Sequence, residues 1–133
     1  MTDTVKLELP KDELYHGVAR LVVGGLAARL EFSYEHLEDL QLALDSFLAA
    51  GPYVAGDRLT IELTVTDEGI GLRAGPVADA LRAELDRDVD ESEGVGLGRL
   101  LSTLVENVEI ESDGGSEWLL LEKRLPGKTV TRA

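Results

Sequence analysis

The residues whose types and spacing most suggest chemistry are the glycine run Gly94-Val95-Gly96-Leu97-Gly98, which opens an apolar helical stripe. Glycine lets a backbone approach a ligand closely and a helix N-terminus offers free N–H groups, so Gly94, Gly96, Leu97 and Gly98 are candidates to cradle phosphate. The same letters suit a loop glycine and a helix packed tightly on a sheet, and both readings stand. Immediately upstream, Asp86, Asp88, Asp90, Glu91 and Glu93 against Arg87 would repel a polyphosphate unless cations intervened. Ser46, Ser102 and Thr103 have no histidine or carboxylate at motif spacing to activate them as nucleophiles, so structural roles are expected. The absence of cysteine excludes disulfides and thiolate metal sites, and His16 and His36 are too few for an imidazole site. His16 is expected at the surface and Trp118 in the core.

With 26 acidic against 13 basic side chains, the net charge is −13. Such a chain lacks the cationic face that nucleic acid requires, while a basic protein partner remains compatible with it. Glu13, Glu35, Glu38, Asp39 and Asp45 fall on predicted helices, as a solvated face or as a contact surface for a basic segment. The first twenty residues lack a basic run followed by a continuous apolar stretch, and no window approaches the roughly 20 apolar residues of a membrane span. A cytoplasmic protein without membrane contact is expected. At 133 residues and 44% hydrophobic, the chain supports one core, giving a single domain over 1–125 and a basic, proline-broken tail over 126–133.

Around these groups the chain must build a scaffold. Val5 to Leu9 alternates at period two and Pro10 ends it, predicting a strand. From Glu13 to about Leu30, Leu14, Val18, Leu21, Val22 and Leu26 follow helical spacing and predict a helix with an apolar stripe, interrupted only by Gly24-Gly25. Ser33 is a candidate N-cap for a second helix over roughly 34–50, with Leu37, Leu40, Leu44, Phe47 and Leu48 on one face. Leu59, Ile61, Leu63 and Val65 alternate, Thr66-Asp67-Glu68-Gly69 turns, and Ile70, Leu72 and Ala74 alternate again. A hairpin of that form pairs Val65 with Ile70, Leu63 with Leu72 and Ile61 with Ala74. Val77, Leu81 and Leu85 suggest a short helix, 86–93 a loop, and Leu97, Leu100, Leu101, Leu104 and Val105 another helix. Val108 to Ile110 and Trp118 to Leu121 predict strands around the turn Asp113-Gly114-Gly115, the second covered on both faces or central in the sheet. Hairpins with helices segregated between them predict an α+β fold. The form expected is a two-layer sandwich whose mixed, mostly antiparallel sheet of about five strands is covered by helices on one face.

This order, with a Gly-x-Gly-Leu-Gly run opening the penultimate helix, resembles the ATPase domain of histidine kinases, gyrase, MutL and the heat-shock 90 chaperones. Residues 37–44 (Leu-Glu-Asp-Leu-Gln-Leu-Ala-Leu) and Gly94-Val95-Gly96-Leu97-Gly98 are most similar to the anti-sigma factor serine kinases of bacterial partner-switching systems. The resemblance implies ATP or ADP with Mg²⁺ as cofactor, a sigma factor and an anti-anti-sigma protein as partners, and a homodimer. It also implies a glutamate base and a Mg²⁺-binding asparagine on the second helix, and these positions fall at Ser46 and Ala50. Serine is a poor base and alanine binds no metal, so the expectation is a degenerate member with no catalytic residues, acting by sequestration. The alternative is an active Mg-ATP-dependent serine/threonine kinase. The family's adenine-binding aspartate, in an Asp-x-Gly-x-Gly motif, matches Asp67-Glu68-Gly69-Ile70-Gly71 by letter. Placing it there competes with the hairpin above, which is favoured because it needs no deletion in the fold.

Overall fold

A computed structural model describes residues 3–29, 33–49, 54–86 and 97–124. Strand β1 (Asp3–Pro10) leads through a 3-10 turn (Glu13–Tyr15) into helix α1 (His16–Arg29) and then α2 (Tyr34–Ala49). A hairpin follows, β2 (Arg58–Thr66) and β3 (Gly69–Val77), then α3 (Asp79–Asp86), α4 (Leu97–Leu104), β4 (Asn107–Asp113) and β5 (Ser116–Arg124). The five strands form one sheet in the order β1-β2-β3-β5-β4. The predicted order of elements is the observed one. The sheet is not mixed, however, because each of its neighbouring pairs is antiparallel.

Period-two alternation divides the sheet into two faces. Val5, Leu63, Leu72, Leu121 and Val108 share one row, and Leu7, Ile61, Ala74, Leu119 and Ile110 the next. These rows meet Leu40, Ala43, Leu44, Phe47 and Leu48 of α2, Leu81 of α3 and Leu101 and Leu104 of α4 in one buried cluster. The opposite rows, among them Lys6, Glu62, Arg73, Leu120 and Glu109, lie outside the core. β5 is therefore inner in the sheet but covered on one face only.

Local chemistry sets the ends of several elements. Ser33 caps α2 as expected, its Oγ accepting the His36 N–H at 3.2 Å. The α1 stripe is only partly buried. Ala19, Val23 and Ala27 are buried and Val22 and Leu26 partly so, whereas Leu14, Val18 and Leu21 face outward. The small residues at 19 and 27 are the ones turned into the core cluster, and the larger side chains on the opposite side of the helix face outward. Val77 closes β3 and does not open α3, which begins two residues later. The 86–93 loop and the 126–133 tail fall largely or wholly outside the described residues, as do Ala50, Gly94 and Gly96.

Candidate functional site

Of the glycine run, Leu97 and Gly98 are described, and they form the first turn of α4. Gly98 is buried against a cleft of about 230 Å³ lined also by Arg82, Leu85, Ser102, Val108 and Ile110. The Leu97 N–H, one of the donors that a helix start leaves open, points to the Glu84 carboxylate of α3 at 3.4 Å. A carboxylate thus faces the first described N–H of the helix that the glycine run opens, with the favourable helix-dipole sign.

The rim of this cleft is held by Glu117 of β5. Its carboxylate accepts from Arg82 Nε and Nη2 at 3.0 and 2.7 Å and from the Ser112 hydroxyl. The serine hydrogen bond first, and then the arginine, hold Glu117 below the ordinary glutamate range. At the adjoining end of β3 the backbone reads Ala74-Gly75-Pro76-Val77, without a carboxylate. Gly75 is required by packing, since a Cβ there would stand 2.8 Å from the Trp118 ring.

Asp67 lies elsewhere. Thr66 pairs with Gly69, leaving Asp67 and Glu68 as a two-residue turn, and the pairs Val65–Ile70, Leu63–Leu72 and Ile61–Ala74 are those expected of the hairpin. Thr66 Oγ1 accepts the Glu68 N–H at 3.1 Å and fixes the turn. The Gly98 cleft borders Ile110, in the row of Leu119 and Ala74. Val108, also in its lining, lies in the row of Leu121 and Leu72, so the cleft spans rows three to five residues along β3 from Gly69, roughly 10 to 17 Å. The fold therefore does not bring Asp67 together with Leu97 and Gly98.

On α2, Ser46 is half-buried, and the neighbouring Asp45 pairs with Arg20 of α1 at 3.1 Å. Asp39 turns to Lys123 at 3.4 Å, while Glu13, Glu35 and Glu38 are exposed, so the acidic helical face is only partly solvated. Thr103 donates to the Arg99 carbonyl and Ser102 is exposed, which are helix-surface roles. His16 is half-buried, less open than expected. Among the described residues, no group of three or more His, Cys, Asp or Glu side chains is placed to hold a metal ion.

Lys123 escaped the sequence reading. It is 5% exposed, and its ammonium donates to the Leu104 carbonyl at 2.9 Å and pairs with Asp39, tying β5 to the end of α4 and to α2. The signal was its parity with Leu119 and Leu121, which turns it inward.

Trp118 is on the open sheet face and not in the core. The Arg73 guanidinium stacks 4.0 Å from its ring centroid and reaches Glu62, Glu111 and Asp113. Burial opposes the charge of Arg73, but the Glu111 hydrogen bond and the three carboxylates outweigh it and raise its pKa above the usual arginine value. Beside this stack a hollow of about 290 Å³ opens over Gly71, Thr64, Asn107, Leu120 and Glu122. It lies across the sheet from the helices and shares no lining residue with the α4 cleft.

No protein-family model matches the chain. Curated relatives do. It is 27% identical to the serine-protein kinase RsbW of Halalkalibacterium halodurans, over 85% of this chain and 78% of that protein. Against the RsbW of Listeria monocytogenes it is 28% identical, over 86% of this chain and 83% of that protein. A shorter match to the RsbW of Oceanobacillus iheyensis reaches 45% identity, over 32% of this chain and 27% of that protein. The helix-covered antiparallel sheet is consistent with a histidine-kinase-type ATPase fold, and the chain is similar along most of its length to anti-sigma factor serine kinases of the RsbW kind.

Proposed function

We propose that this chain is a regulator that holds a protein partner in the manner of an anti-sigma factor, with nucleotide binding weak or lost. The observation that carries the reading is Glu84. An anion that belongs to the protein meets the α4 N–H that a phosphate would need, so a nucleotide would have to displace it and face its charge. Ser46 at the expected base position and the carboxylate-free end of β3 support the same reading. Asp67 takes no part in a site at α4, because the hairpin carries it to the other end of β3. The partners proposed are a sigma factor, an anti-anti-sigma protein or both, in the cytoplasm where transcription takes place.

The second reading, an active Mg-ATP-dependent kinase of an anti-anti-sigma serine or threonine, is favoured by the name serine-protein kinase that the relatives carry and by the surviving Gly94, Gly96 and Gly98 letters. Transcription directed by a candidate sigma factor separates the two. The purified chain is expected to inhibit it equally with and without Mg-ATP. Inhibition that needs nucleotide, or labelled phosphate moving to an anti-anti-sigma protein, would favour the kinase.

A further inference from the structure

Among the described residues the sheet ends at β4, which pairs with β5 on one side and with no strand on the other. The turn between them has two residues, Gly114 and Gly115, both at positive φ (61° and 83°), and it closes on the pair Asp113–Ser116. Such a turn puts its closing pair in mutual hydrogen bonds, and every second pair back to Asn107–Glu122 then does the same. At that end the Glu106 N–H also reaches the Glu122 carbonyl, at 3.0 Å, as a bulge beside a hydrogen-bonded pair requires. The parity left over is Val108, Ile110 and Ser112, whose backbone N–H and C=O groups point away from β5. Among the described residues none of these groups bonds to another element.

A free edge is a template for another strand, and what flanks it decides which strand. The other edge, β1, has at its end a hollow of about 20 Å³, whereas β4 borders the cleft of about 230 Å³ under α3 and α4. A strand laid beside β4 would turn its side chains alternately to the two sides of the sheet. On the helical side they would meet that cleft, where Gly98 and the exposed Ser102 leave room for short, hydroxyl-bearing side chains. On the open side they would meet Glu109, Glu111 and Asp113, all exposed. These three carry more negative charge than Arg73, which is shared with Glu62, can offset. Two copies of this edge would set the carboxylates against their equals, which leaves a homodimer through another surface unaffected.

We infer that the free edge of β4 takes an extended segment of a partner protein as an antiparallel sixth strand, with lysine or arginine at every second position and serine or threonine between. The main-chain bonds to Val108, Ile110 and Ser112 would supply affinity, and the alternating side chains specificity. The cations would face Glu109 and Glu111 while the hydroxyls enter the Gly98 cleft. A holding role for this edge rests on the sequestration reading above; the surface and the chemistry of the bound segment are what is new.

A fluorescein-labelled peptide of about ten residues alternating lysine and threonine, titrated by anisotropy into the full chain, tests this without nucleotide or sigma factor. Its failure is therefore distinct from failure of the transcription assay. Saturable binding is expected, with new protection of the Val108, Ile110 and Ser112 amides from hydrogen exchange and none at Glu109 and Glu111, whose amides already bond β5. Backbone N-methylation of the threonines, whose amides turn to β4 in antiparallel pairing, is expected to weaken binding about tenfold or more, and N-methylation of the lysines to leave it within about twofold. Glu109→Lys is expected to weaken binding with an unchanged circular dichroism spectrum and Tm, and a Glu/Thr peptide of the same pattern is expected not to bind. No binding, equal loss from both methylations, or protection elsewhere in the chain would overturn the proposal. Protection of the three amides in the free chain that is lost on dilution would assign the edge to a second copy, and tighter peptide binding after removal of residues 126–133 would assign it to the chain's own tail. Either outcome also overturns it.

Discussion

At Gly69 a Cβ would stand 2.2 Å from the Lys123 carbonyl oxygen and 2.9 Å from the Arg124 Cα, and the residue's φ of 153° is one that L side chains rarely adopt. At Gly71 the nearest atom, the Thr64 carbonyl oxygen, is 4.0 Å away. The two glycines of Asp67-Glu68-Gly69-Ile70-Gly71 thus differ in cause, the first demanded by strand packing and the second by nothing close. Gly69→Ala is expected to cost about 2 kcal/mol or more and Gly71→Ala under about 1 kcal/mol, read by urea denaturation. Glu117 supplies a pH test. Its folded pKa lies below the unfolded glutamate value of about 4.3, so its contribution is complete above that value and is lost as pH falls through the folded one. Ser112→Ala should reduce that acid-side loss of Tm between pH 5 and 2, about the range that depressed carboxylates span, and an unchanged profile would contradict the assignment.

The elements differ in how openly the sequence announces them. The β2–β3 hairpin was legible to the residue because two alternating runs flank a turn whose length fixes the register. Helix α1 was legible in extent but not in orientation. The larger residues Leu14, Val18 and Leu21 outweigh Ala19 and Ala27 in any pattern count, yet the small ones are buried and the larger ones exposed. The antiparallel pairing of β3 with β5 joins residues some fifty apart, such as Leu72 and Leu121, and no local signal gives its direction. Lys123 illustrates the gap at the site itself, because its inward parity is visible but its partners Leu104 and Asp39 come from distant elements. Lys123→Met leaves the Leu104 carbonyl without that donor and is expected to lower stability by about 1–3 kcal/mol in thermal denaturation. A neutral result would show that β5 does not need this tie to α4.

Seen as a whole molecule, the chain has the helix-covered antiparallel sheet of its relatives' fold class, and on the proposed reading its nucleotide chemistry is weak or lost. The described part of the glycine run begins a helix whose Leu97 N–H meets a carboxylate of the same chain, and the aspartate that matches the nucleotide motif by letter lies in the turn at the other end of β3. A charge of −13 adds a field that opposes polyphosphate and favours cationic protein surfaces. The sheet's open face carries an internal ion-pair group around Arg73 and Trp118. Isothermal titration of the full chain with ATP and with ADP in excess Mg²⁺ tests the central claim most directly. The account predicts no binding heat at nucleotide concentrations up to the millimolar range, whereas micromolar binding that is abolished by Asp67→Asn would contradict both the loss of nucleotide chemistry and the hairpin's exclusion of Asp67 from the site.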